Sequence, residues 1–183
     1  MRFRLLPAVL VLAATARLAA ADHAVVFDPA RSTVDVVVKA TLDSFTGRLA
    51  RFSLAGTADE TGRVTGARLD FRFRDVLTGK AKRDEAMHAW QDTAHHPDAS
   101  FVLTALDTAA DGGRRATGRL TFHGVTRELS FPVRLTQAGD ELAVDGEAAF
   151  DTRDFGLPVI RMMGLLKVDP VVRVRFHFQG RST

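Results

Sequence analysis

The chain predicts an all-β fold, an antiparallel β-barrel of about eight strands with one short helix, over residues 82–92, near the barrel mouth. Three observations carry this prediction. Apolar and polar residues alternate with period two in several stretches, turn residues separate those stretches at short intervals, and a single helix-like patch at 82–90 interrupts the rhythm. No internal repeat, low-complexity tract or linker divides the sequence, so residues 22–183 are read as one domain.

Taken in order, Val34, Val36 and Val38 alternate with Asp35, Val37 and Lys39, the pattern of a strand with one face buried. Leu69, Phe71 and Phe73 alternate with Arg68, Asp70, Arg72 and Arg74, so a slip of one residue would move guanidinium groups into the core. The stretch from Gly79 to Thr93 breaks the alternation. On a helix Arg83, Met87 and Trp90 stand at i, i+4 and i+7 and share a face. His95-His96-Pro97 then reads as a turn leading to a strand at Phe101. Alternation returns in Leu129, Phe131, Val133 and Leu135, in Leu142, Val144, Gly146, Ala148 and Phe150, and in Val172, Val174, Phe176 and Phe178. Turn chemistry at Asp59-Glu60-Thr61-Gly62, Asp111-Gly112-Gly113, His123-Gly124 and Ala138-Gly139-Asp140 suits antiparallel neighbours. A second departure spans 158–166.

Such a meander can close as a barrel or fold into a sandwich. Thirteen Phe and one Trp, with no Tyr, place much aromatic bulk on the inward face and favour the barrel. A barrel of that size either fills itself with side chains or holds one small ligand. An interior of Phe, Val and Leu suits a ligand without a polar body, and it equally suits rings that only pack on one another.

Arg2 and Arg4 precede an apolar run from Leu5 to Ala16, and Ala19-Ala20-Ala21 supplies small residues for cleavage, so residues 1–21 are read as an export signal and the mature protein as periplasmic. A membrane anchor needs about 20 apolar residues, and Arg17 ends this run early. Cleavage removes Arg2, Arg4 and Arg17 from a total of 25 Lys and Arg and spares all 22 Asp and Glu, which leaves a formally neutral chain. That balance argues against nucleic acid as a partner. Cysteine is absent, which excludes disulfides, thiolate metal sites and a cysteine nucleophile.

Five segments, in order, carry a family resemblance. They are residues 23–32; Asp43-Ser44-Phe45-Thr46-Gly47 with Phe52-Ser53-Leu54-Ala55-Gly56; Gly118-Arg119-Leu120-Thr121-Phe122-His123-Gly124-Val125-Thr126-Arg127; Phe150-Asp151-Thr152-Arg153-Asp154-Phe155-Gly156-Leu157; and residues 167–178. The chain resembles the YceI-like family of secreted lipid carriers. The resemblance implies an extended, lipocalin-like antiparallel barrel whose cavity binds an isoprenoid or similar amphiphilic chain, with no cofactor besides a bound isoprenoid lipid or quinone. The chain also departs from the family. Ala40-Thr41-Leu42 stands where many relatives carry His, Tyr is missing, and Trp90 stands where relatives often have Phe, so the chain length bound and the head group recognised stay open.

The candidate contacts to an apolar chain are Phe71, Phe73, Phe122, Phe131, Phe150 and Phe176, with Met87 and Trp90 closing over it. Lys80, Lys82 and Arg83, beside Met87 and Trp90, are candidates for a head group, and Met162-Met163 sit in the 158–166 excursion. The competing assignment makes these side chains ordinary core and solvated surface. His88, Asp92, His95 and His96 lie close together, but no H-E-x-x-H or third fixed ligand accompanies them, and no metal is assigned. No serine sits in G-x-S-x-G and no paired carboxylates face each other, so no catalytic residue is assigned. The expected function is therefore periplasmic binding, transport or storage of a long apolar ligand, with membranes only as donor or acceptor. The alternatives are a stress-responsive interaction protein with a self-filled barrel and a metal-dependent enzyme using His88, Asp92 and His95. A homodimer is left open.

Overall fold

The structure, a computed structural model, describes residues 22–41, 44–110, 112–162 and 166–182. The expected export signal and Met163 lie outside them.

Eight strands run up and down in chain order and close into an antiparallel barrel. The first three are each broken in two: β1 (His23–Phe27) continues as β2 (Thr33–Val38), β3 (Phe45–Leu49) as β4 (Ser53–Ala58), and β5 (Val64–Arg72) as β6 (Val76–Leu77). Unbroken strands β7 (Asp98–Thr108), β8 (Arg114–Phe122), β9 (Val125–Ala138) and β10 (Glu141–Asp151) follow. The last wall strand, β13 (Val171–Ser182), pairs with β10 and then with both halves of the first strand, Val26 opposite Arg181 and Val36 opposite Val174. Closure leaves most backbone donors and acceptors paired within the wall.

The breaks have local causes. Pro29 has no N–H to give to a ladder, and the Asp28 carboxylate accepts from the Ala30 N–H, so Pro29–Arg31 turns as a 3-10 segment. Phe73, expected within a regular strand, instead opens the 3-10 turn Phe73–Asp75, while its ring stays buried. The opening strand is likewise interrupted at 28–32. Each break shifts the inward set by one residue, from Val25 and Phe27 to Val34 and Val36, and from Phe71 and Phe73 to Val76.

One helix, α1 (Ala81–Gln91), lies between β6 and β7, one residue earlier than expected, and ends where Asp92 adopts a left-handed conformation (φ 54°). The 158–166 departure contains a small hairpin, β11 (Arg161–Met162) paired with β12 (Leu166–Lys167). Both additions sit at the barrel end that also carries the 123–124 turn; the connections after β4, β7 and β9 mark the other end.

Inward positions pack in three groups. At the α1 end, Phe122 meets Phe73 and Phe155 with ring centroids 5.5 and 5.6 Å apart, and Phe155 is fully buried. In the middle, Phe131 lies between Phe101 and Phe176 at 5.5 and 5.9 Å. At the hairpin end Val25, Ala58 and Leu142 close the barrel. Gly146 stands opposite Phe176 in the register, and a Cβ there would run into the Phe176 ring. The wet face carries cross-strand ion pairs such as Arg48–Asp35 (2.9 Å) and Arg175–Glu147 (2.7 Å), each of small value at the surface.

Candidate ligand cavity

Alternation along eight closed strands sends one side chain in two into the barrel, and those side chains surround a cavity of about 230 Å³. It extends from Val25 and Leu142 at the hairpin end to Met87 and Trp90 of α1. Its wall is apolar except for Thr152, which is itself buried. A hole with such a lining offers water few hydrogen-bond partners and favours an apolar guest.

All eight side chains singled out from the sequence line this cavity: Phe71, Phe73, Met87, Trp90, Phe122, Phe131, Phe150 and Phe176. Phe27, Phe101 and Phe178 line it too and were not among those candidates. For Phe178 the signal was present, since it continues the row that includes Phe176. Phe27 lies before the broken part of its strand. Phe101 precedes a register shift between Leu103 and Ala105, which obscures the alternation. Phe155, on a 3-10 turn, does not line the cavity and plugs the α1 end instead.

Helix α1 closes that end through specific contacts. The Trp90 indole N–H donates to the Pro158 carbonyl at 2.8 Å. The Arg83 guanidinium lies 4.3 Å from the Phe45 ring centroid, a cation–π contact that joins the helix to β3. Gln91 is fully buried and donates to the His96 carbonyl at 2.9 Å while accepting from Thr93. Lys80 precedes the helix and Lys82 lies in its first turn; both are exposed.

The histidines divide among separate contacts. The His88 ring packs edge-on to Phe73, and His96 packs against His123 with centroids 4.3 Å apart. His95 Nδ1 lies 2.8 Å from Asp92 Oδ1; that hydrogen bond raises the His95 pKa and lowers that of Asp92. Among the described residues no three His, Asp or Glu side chains are placed to hold one metal ion. Asp151 pairs with Arg153 at 2.6 Å and so serves the turn after β10.

A closed antiparallel barrel with a hollow apolar interior and a helix across one end is a lipocalin-like barrel, a class able to enclose one small ligand. The model of the YceI-like domain matches residues 26–180, and the chain belongs to that family. Among curated relatives, a UPF0312 protein of Pseudomonas fluorescens strain SBW25 is 29% identical over 114 residues, and one of Pseudomonas putida strain F1 is 25% identical over 114 residues. In both the match covers 58% of this chain and 58% of the relative's length. Among solved structures, BcnA of Burkholderia cenocepacia superposes with a TM-score of 0.73 at 23% identity, over 84% of this chain and 98% of that one. A polyisoprenoid binding domain from Saccharophagus degradans, implicated in plant cell wall breakdown, superposes with a TM-score of 0.64 at 18% identity, over 89% and 100%. These structural likenesses show the shared fold.

Proposed function

We propose that the protein binds a long apolar chain, a polyisoprenoid, inside the barrel and stores or carries it in the periplasm after removal of residues 1–21. The observation that carries the proposal is the cavity of about 230 Å³ running between the two barrel ends with an apolar wall. Transfer of such a chain from water gains roughly 25 cal/mol for each Å² buried, and the wall makes no polar demand in return. Membership in a family of binding domains and the likeness to a polyisoprenoid binding domain support the same assignment.

Native mass spectrometry of the protein purified from a periplasm, followed by denaturation and lipid extraction, tests it. A stoichiometric adduct of several hundred daltons that leaves on denaturation is the expected result. A bare mass after incubation with isoprenoid alcohols and quinones would overturn it and return the self-filled barrel, whose supporting observation is the ring packing around Phe155.

A further inference from the structure

Side chains cover both ends of the barrel. Val25, Ala58 and Leu142 are buried together at one end. At the other, Phe155 and Leu157 are buried and Trp90 is tied to Pro158. The wall between the second and third strands differs. The β3–β6 ladder stops at Leu49 opposite Val76, and the β4–β5 ladder starts at Ser53 opposite Asp70. Residues 50–52 and 71–75 face each other between these points with no ladder. Among the described residues, the seam is crossed by the Ala50 N–H to Asp75 carbonyl bond at 2.8 Å and by the Arg51–Asp75 ion pair at 2.6 Å. A wall held by so few bonds opens locally at lower cost than a continuous ladder.

Inside and outside meet at this seam. Phe71 borders both the cavity and a groove on the outer surface. Phe52 is half-buried, borders the groove, and packs at 6.1 Å from Phe178 of the cavity wall. The groove mixes apolar surface with charged side chains. Its guanidinium groups each have a carboxylate: Arg51 with Asp75, Arg68 with Asp70 at 2.6 Å, and Arg72 with Asp98 at 3.9 Å.

We propose that the seam is a lateral portal into the barrel, that Phe52 is its gate, and that the groove outside seats the polar end of the guest. The proposal rests on the cavity function above and adds where the polar end lies. A wall whose one polar side chain is the buried Thr152 gives that end little to bond inside. The guanidinium groups of Arg51, Arg68 and Arg72 offer that end hydrogen-bond donors outside the barrel.

A geranylgeranyl chain ending in a benzophenone ether tests this on the unaltered protein. After confirmation of a one-to-one complex by native mass spectrometry, irradiation and peptide mapping locate the polar end. Labelling at residues 50–53, 70–73 and 98–100 is expected; labelling confined to α1, to 155–160 or to the hairpin-end turns would overturn the portal while leaving the cavity function intact. Failure of the probe to form a complex would instead remove the cavity function on which the portal rests. Phe52→Ala is expected to release bound geranylgeraniol at least fivefold faster and Phe52→Trp more slowly; unchanged release in both would overturn the gate.

Discussion

The indole N–H of Trp90 lies 2.8 Å from the Pro158 carbonyl oxygen, so a side chain that lines the cavity also fastens α1 to the segment after β10. Trp90→Phe keeps an aromatic ring and removes this bond. A net loss of about 1 kcal/mol is expected, and for a chain of this size about 2–4 °C in Tm. Thermal unfolding checks it; an unchanged Tm would show that the bond contributes nothing.

Phe131 and Phe176 meet edge to face at 5.9 Å across the middle of the cavity. Phe131→Trp and Phe176→Trp, singly and together, are expected to fill that space and reduce the lipid that purifies with the protein. Overpacking costs about 1–3 kcal/mol, so a circular dichroism melt must show that the variants are folded. Full lipid occupancy in the folded double variant would remove the cavity from the function.

Gly146 faces Phe176 on the neighbouring strand, and the ring occupies the space a Cβ would need. Gly146→Ala is expected to destabilise the barrel by about 1–3 kcal/mol through a displaced ring. Because Phe176 lines the cavity, ligand affinity should fall with stability. Urea denaturation and a binding titration check the two effects separately.

Phe155 is fully buried and lies off the cavity wall, against Phe122 and Phe150. Phe155→Ala is expected to cost about 3–5 kcal/mol, a larger loss than truncation of a residue that borders open space, such as Phe101. Equilibrium denaturation of the two alanine variants decides; equal losses would contradict the assignment of Phe155 as a plug.

The hydrogen bond between Asp92 and His95 raises the histidine and lowers the carboxylate. A raised histidine contributes stability in full below its ordinary value of about 6.5, and loses it as pH rises through the elevated value. A lowered aspartate contributes above about 3.9 and loses it as pH falls through the depressed value. The pair should therefore support the end of α1 best between about pH 4 and 6.5. NMR titration of His95 checks the direction, and Asp92→Asn should return the imidazole toward its ordinary value.

Much of the barrel was legible because its strands alternate without ambiguity. In Val172 to Phe178 a polar residue separates each inward side chain, and only one register buries all of them. The turn residues Thr61-Gly62, His123-Gly124 and Gly139-Asp140 stood where the hairpins reverse. The breaks at 28–32, 50–52 and 73–75 were not legible, since three separate interruptions become one feature only when their strands lie side by side. Phe155 shows the same limit. It stands five residues after Phe150, outside the period-two row, and a 3-10 turn directs it into the plug.

The sequence by itself determined that the strands have one apolar face, that a single helix interrupts them, and that the inward face is rich in Phe, because these follow from local periodicity and turn chemistry. Tertiary structure alone decided that the apolar faces enclose space, that Trp90 of α1 is tied to Pro158 at one end, and that the ladder is interrupted at the Arg51–Asp75 seam. Those properties depend on which strands become neighbours and on how far their side chains reach across the barrel, and neither distance is written along the chain.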